Sequence, residues 1–349
     1  MIGGFSAYGA IQTATPAING PASSVATGQS SLSELQQMID HGHGAEALER
    51  LDKMAVENPV PDGVHRLRGQ AFYSQNKLTD AEQAFATAMT QDPTDLASEQ
   101  MRGVTLFRLG RPAAAIPLLE ATAQTNKSQG AEKSINPVDP WYVLALCYLD
   151  TRQYDDARRA FATQYGFPPD SAPAYLLAAR MLLRREYIPV AQQFAKKALE
   201  LSPQLPLAHR LLGETELAAN HLDDALKEFD LERQLNPLDP VTYDRMGDAY
   251  VRQGEFGKAR QALQEAVLLD PNSTGPFILL GKVLLRQHDA VGAATYLEHA
   301  REMDSQNYMT HSLLSQAYRQ MGRIDDARAE SSIAQKLQAA AEPKLTDLH

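Results

Sequence analysis

His41 and His43, separated by one residue, are the closest pair of histidines in the sequence. A transition-metal site would need at least a third ligand at helical spacing, and none follows in the turn Asp40 to Gly44. Three aspartate doublets, Asp155-Asp156, Asp223-Asp224 and Asp325-Asp326, offer the paired carboxylates that acid–base chemistry uses. They recur at one position of a repeat, which gives them a structural role, that of capping a helix and meeting the positive end of its dipole. Cys147 is the only cysteine, so no intrachain disulfide or cysteine cluster can form, and beside Tyr148 it reads as core. The sequence contains no His-Glu-x-x-His, no Gly-x-Ser-x-Gly, no phosphate-binding loop and no dinucleotide turn. It is read as non-enzymatic, with no catalytic residue, no metal and no cofactor.

The elements that carry these side chains follow from a periodicity. Pro169, Pro203, Pro237 and Pro271 stand 34 residues apart, each just after an apolar helical run, and Pro59 and Pro93 share that separation. Setting each proline as position 32 divides the chain into nine units: 28–61, 62–95, 96–129, 138–171, 172–205, 206–239, 240–273, 274–307 and 308–341. Position 20 is alanine in all of them: Ala47, Ala81, Ala115, Ala157, Ala191, Ala225, Ala259, Ala293 and Ala327. Position 8 is small in eight of the nine, among them Gly69, Gly103, Gly213, Gly247 and Gly281. Small residues at two fixed places let paired helices approach closely. Aromatics fill the gaps at positions 4 (Trp141, Tyr175, Tyr243, Phe277), 11 (Phe72, Tyr148, Tyr250, Tyr318) and 24 (Phe85, Phe161, Phe229). Gly110, Gly254 and Gly322 at position 15 supply the turn between helices.

This pattern resembles the tetratricopeptide repeat, over residues 28–341. The resemblance implies an all-α, right-handed solenoid of about nine helix–turn–helix repeats, with first helices lining a concave groove and second helices facing outward. In that family positions 2, 5, 9, 12 and 13 of the first helix face the groove. The cations so placed are Arg66, Arg108, Arg180, Arg184, Arg210, Arg252, Lys282, Arg286 and Arg319, against Asp40, Asp139, Asp150, Glu214, Asp244 and Asp248. Position 12 adds Tyr73, Phe107, Leu149, Leu183, Leu217, Val251 and Leu285. An acidic protein segment or peptide with apolar anchors would suit such a surface. The family's carboxylate clamp needs Lys at position 5 and Asn at position 9 of one unit, and no unit carries that pair.

Outside the frame lie an uncharged arm at 1–27, an eight-residue insert at 130–137 and a tail at 342–349. The insert reads as a tolerated loop, with a hinge or binding loop as its alternative. The first charge in the chain is Glu34, and Phe5, Tyr8 and Ile11 recur every three residues in the arm. A second functional reading follows: a structural subunit that assembles into homo-oligomers through that arm. The composition of the arm favours export slightly over the cytoplasm. With 33 Lys and Arg against 43 Asp and Glu, the net charge of −10 disfavours nucleic acid and anionic membranes as partners. No apolar run is long enough to span a bilayer. The glycosylation patterns at Asn126 and Asn272 are read as ordinary polar positions, Asn272 lying in a helix-ending turn.

Overall fold

A computed structural model describes residues 22–128 and 139–341. Its helices fall into two compact units, one ending at Arg152 and one starting at Gln153. The first holds α1 (Ala22–Asp40), α2 (Gly44–Met54), α3 (Val64–Ser74), α4 (Leu78–Gln91), α5 (Leu96–Arg108), α6 (Pro112–Ser128) and α7 (Pro140–Asp150). In the second are α8 (Tyr154–Tyr165), α9 (Ala172–Arg184), α10 (Ile188–Leu201), α11 (Ala208–Ala218), α12 (Leu222–Leu235) and α13 (Pro240–Gln253). It continues with α14 (Phe256–Leu269), α15 (Thr274–Arg286), α16 (Ala290–Met303), α17 (Tyr308–Gln320) and α18 (Ile324–Ala341). Among the described residues there is no strand.

Within each unit, successive helices pair as hairpins through short turns, and first helices of neighbouring hairpins also touch. Those contacts run α1 to α3 to α5 to α7 in one unit, and α9 to α11 to α13 to α15 to α17 in the other. The position-20 alanines are all buried, none more than 2% exposed. Position 8 is more specialised, since it seats the side chain at position 24. A Cβ on Gly69 would lie 2.5 Å from Phe85, on Gly213 2.6 Å from Phe229 and on Gly281 2.3 Å from Leu297. Only hydrogen at those places leaves room for the ring or branched chain of the facing helix.

The turns share one backbone device. The residue at position 15 has positive φ in every unit: Gly42, Asn76, Gly110, Arg152, Glu186, Asn220, Gly254, His288 and Gly322. At Gly254 the helix closes with Gly254 N–H donating to Val251 O at 3.1 Å and Glu255 N–H to Tyr250 O at 2.9 Å. This is the left-handed cap that satisfies the last carbonyls of a helix.

One expectation needs correction, the capping role of the aspartate doublets, and several others fall outside the described residues. Helix α1 begins at Ala22, so the last residues assigned to the arm are helical; Pro21 precedes it, and neither proline nor glycine interrupts 22–27. Residues 1–21, including Phe5, Tyr8 and Ile11, lie outside the described residues, as do 129–138 with the whole insert, and the tail 342–349. The aspartate doublets stand in the first turns of α8, α12 and α18 but supply no cap to α8 or α12, whose N-cap residues Gln153 and His221 make no side-chain cap bond. They form i,i+3 pairs instead, Asp156 with Arg159 at 3.0 Å and Asp224 with Lys227 at 2.8 Å. As the second and third residues of the helix, they pair with a basic side chain one turn further on and leave the first N–H groups uncapped.

Helices α10, α12 and α14 each end two residues before the position-32 proline. With Lys127 in its place, α6 runs on to Ser128, whereas α8 stops at Tyr165 before Gly166. Arg158, buried at 2% exposure, secures the irregular segment after it: its guanidinium lies 2.9 Å from Asp170 and 4.2 Å above the Tyr175 ring. It also donates to the carbonyl of Pro169.

Candidate functional site

Residues four apart on a helix share a face. Helix α9 thereby aligns Leu176, Arg180 and Arg184, with Leu183 beside them; α11 brings Leu211 and Glu214, three apart, together, and Leu207 precedes that helix as its N-cap residue. Together with Arg210 on α11 and Val241 and Arg245 on α13, these side chains line a cavity of ≈ 340 Å³. Its walls are aliphatic and its rim is basic. Arg245 occupies a place the repeat frame does not assign to the groove, which is why sequence reasoning missed it.

The cations named from sequence separate into matched and unmatched groups. Arg210 Nη1 lies 2.8 Å from both carboxylate oxygens of Asp239. Asp239 also accepts from Thr242 N at 3.2 Å and so caps α13. The same construction recurs in the other unit, where Arg66 Nη1 lies 3.2 Å from Asp95, the cap of α5. Both arginines sit at position 5 and both acids 29 residues later. Their charge belongs to the joint between consecutive hairpins; the recurring spacing was the signal in the sequence that could have revealed it. Arg252 pairs with Asp248 on its own helix at 2.7 Å. Arg108 donates to Asn76 Oδ1 at 2.6 Å and stacks 4.7 Å over Tyr73. Arg180, Arg184, Lys282, Arg286 and Arg319 are exposed and enter no ion pair among the described residues.

The groove acids are held differently. Glu214 is shared by Arg210 Nε at 3.8 Å and Arg245 Nε at 3.7 Å. Asp244 is only 17% exposed, and Arg245 Nη1 approaches one of its oxygens at 3.2 Å. Its Oδ1 has no hydrogen-bond partner. Burial pushes the Asp244 carboxyl above the ordinary carboxylate range, and the nearby Asp248 and Glu214 add to that, outweighing Arg245.

Histidines, searched for metal chemistry in the sequence, serve the packing. His209 Nδ1 lies 2.7 Å from Glu228 Oε2, with Nε2 3.3 Å from Pro203 O. His311 repeats this with Glu330 at 2.5 Å and Ser305 O at 3.1 Å. In both, the histidine replaces the position-4 aromatic and ties one hairpin to the carbonyl that ends the preceding one. His41 Nδ1 meets Gln37 O at 2.7 Å. Among the described residues no three or more His, Cys, Asp or Glu are grouped to hold a metal ion, and no helix is long and apolar enough to cross a membrane.

Two larger hollows lie against the second helices. One of ≈ 600 Å³ is lined by Arg233, Tyr243, Tyr250 and Lys258, the other, ≈ 660 Å³, by Tyr175, Gln192, Lys196 and Lys197. Arg233, Lys258 and Lys197 each have a carboxylate one turn away, Asp230, Glu255 and Glu200, and Lys196 lies 3.7 Å from Glu216. Volume favours these hollows, but unmatched charge singles out the smaller cavity on the first helices.

A family model described as Tetratricopeptide repeat matches residues 39–95, 101–165 and 142–206, and a second of the same description matches 240–273. Among curated proteins, the chain is 22% identical over 298 residues to Schizosaccharomyces pombe Anaphase-promoting complex subunit 3, covering 85% of this chain and 43% of that protein. It is 26% identical over 140 residues to Arabidopsis thaliana Tetratricopeptide repeat domain-containing protein PYG7, chloroplastic, covering 39% and 46%. The chain spans less than half the length of these curated relatives. Among solved structures it is similar to MamA, at 20% identity and TM-score 0.45, covering 51% of this chain and 99% of that one. The structure of YrrB, described as a TPR protein with an unusual peptide-binding site, gives the same identity and TM-score over 53% and 95%. With repeat models matching in both halves and alanine-sealed helical hairpins within each unit, the chain belongs to the tetratricopeptide-repeat family.

Proposed function

We propose that this repeat protein is a non-enzymatic scaffold that holds an acidic segment of a partner protein against the first helices of its second unit, in the cavity rimmed by Arg180, Arg184 and Arg245. The observation that carries this reading is the state of Arg180 and Arg184: exposed, without a carboxylate partner, and standing over Leu176, Leu183, Leu207, Leu211 and Val241. An apolar side chain from the ligand removes aliphatic surface from water, while its neighbouring carboxylates meet two guanidinium groups able to donate in pairs. Arg210 supports the wall and keeps its charge for Asp239. Lys282 and Arg286, which enter no ion pair among the described residues, extend the basic character of the second unit's first helices. Arg252 there, and Arg66 and Arg108 on the first helices of the first unit, already have internal partners and are proposed as weaker groove cations, each within its own unit.

Fluorescence anisotropy with a labelled Leu-Glu-Glu-Leu peptide tests the proposal. The double variant Arg180→Glu/Arg184→Glu should lose most of the affinity while its circular dichroism melt stays unchanged. Equal affinity for the parent and the variant would refute it.

A further inference from the structure

In the second unit, positions 9 and 13 of successive first helices carry charge in a sequence that packing does not explain. Helix α9 has Arg180 and Arg184; α11 has Glu214 and Ala218; α13 has Asp248 and Arg252; α15 has Lys282 and Arg286. The residues in each pair are four apart and share a face. On α13 the two neutralise each other at 2.7 Å, and on α11 Glu214 is shared by Arg210 and Arg245. On α9 and α15 the pairs are of like sign, which destabilises a helix, and none of the four cations enters an ion pair among the described residues. All four are exposed. The result is two patches of unmatched positive charge with an internally neutralised stretch between them.

Their separation can be estimated from the contacts. Helices α9 and α11, α11 and α13, and α13 and α15 touch in turn, so three interaxial steps of 8–10 Å place the patches roughly 24–30 Å apart. Fully extended chain covers that distance in about seven to nine residues. We infer that the segment held by this groove is bipartite: two acidic clusters about seven to nine residues apart in extended conformation, one for Arg180 and Arg184 and one for Lys282 and Arg286. The inference rests on the acidic-peptide reading above and adds a second contact site and a spacing to it. Two linked contacts bind more tightly than either alone, provided the linker spans the gap. An evenly charged polyanion gains less from this layout, because its central charges fall against Glu214, Asp244 and Asp248, whose carboxylates already have arginine partners.

The test is anisotropy of the full chain with labelled Gly/Ser/Ala peptides, each bearing two Glu-Glu-Glu clusters, with spacers of about two, eight and fourteen residues. The eight-residue spacer should bind about tenfold more tightly than the short one and several-fold more tightly than the long one. Lys282→Glu/Arg286→Glu should bring the matched peptide down to the affinity of the short-spacer peptide, and Lys282→Gln/Arg286→Gln should do so part-way, both with unchanged melts. Equal affinities at all spacers, or no effect at Lys282 and Arg286 while Arg180→Glu/Arg184→Glu still abolishes binding, would overturn the bipartite inference and leave the groove reading standing. If neither double variant weakens any peptide, both fall. An oligo-dT of equal charge that binds as tightly as the matched peptide would also overturn the inference.

Discussion

Arg210 Nη1 lies 2.8 Å from both oxygens of Asp239, and the two side chains are 13% and 14% exposed. Because Asp239 also caps α13, one arginine joins the first helix of one hairpin to the start of the next. Arg210→Ala strands a largely buried carboxylate and should destabilise by roughly 2–4 kcal/mol. Arg180→Ala, on an exposed and unpaired side chain, should stay within about 0.5 kcal/mol. Urea unfolding of both variants checks the contrast; similar losses would mean that Arg180 too is structural.

Gly213 and Phe229 make a second, steric joint. Since a Cβ at 213 would lie 2.6 Å from the Phe229 ring, Gly213→Ala should cost about 1–3 kcal/mol by overpacking. Phe229→Ala makes room, so the cost of Gly213→Ala should shrink in that background. A double-mutant cycle reads this coupling, and strict additivity would show that the helices relax apart instead.

Glu186 occupies its turn with φ of 62°, a region where a side chain clashes with its own backbone. Glu186→Gly should therefore stabilise the chain by roughly 0.5–1 kcal/mol despite the added freedom of the unfolded state. Thermal melts provide the check; a loss of stability would locate a native contact in the glutamate side chain.

Asp244 gives a pH signature. Its folded-state carboxyl is raised above the ordinary value of 3.8, chiefly by burial, so the ionised form is disfavoured in the folded chain. The penalty is absent below the unfolded value and grows as pH rises through the folded one. Asp244→Asn should become progressively more stable than the parent as pH rises across that interval, and then hold its advantage. Chemical denaturation as a function of pH measures this, and a parent that gains on the variant with rising pH would reverse the sign.

Particular residues show what the sequence made legible. The alanines at position 20 and glycines at position 8 announced hairpin packing because steric exclusion leaves few residue types to choose from, and the repetition averaged out local noise. Turns at Gly254 and Gly322 were readable, but those at Arg152, Glu186 and His288 were not, since the residue type carries no sign of the left-handed backbone. At the candidate site the cations could be counted but not sorted. Whether an arginine is free depends on an acid 29 residues away, as for Arg66 with Asp95, or on the adjacent helix, as for Arg245 with Glu214. The aspartate doublets misled for a related reason: a residue within the first turn of a helix meets the dipole without capping it.

The location of the bound segment can be measured directly by photo-cross-linking. Leu207 borders the cavity and is 36% exposed, whereas Leu268, on the second helix α14, is 76% exposed and away from it. With benzoylphenylalanine placed at one or the other position, the labelled Leu-Glu-Glu-Leu peptide should be captured at 207 and not at 268, and high salt should diminish the yield. Capture at 268 with none at 207 would contradict the account and move the binding surface to the second helices.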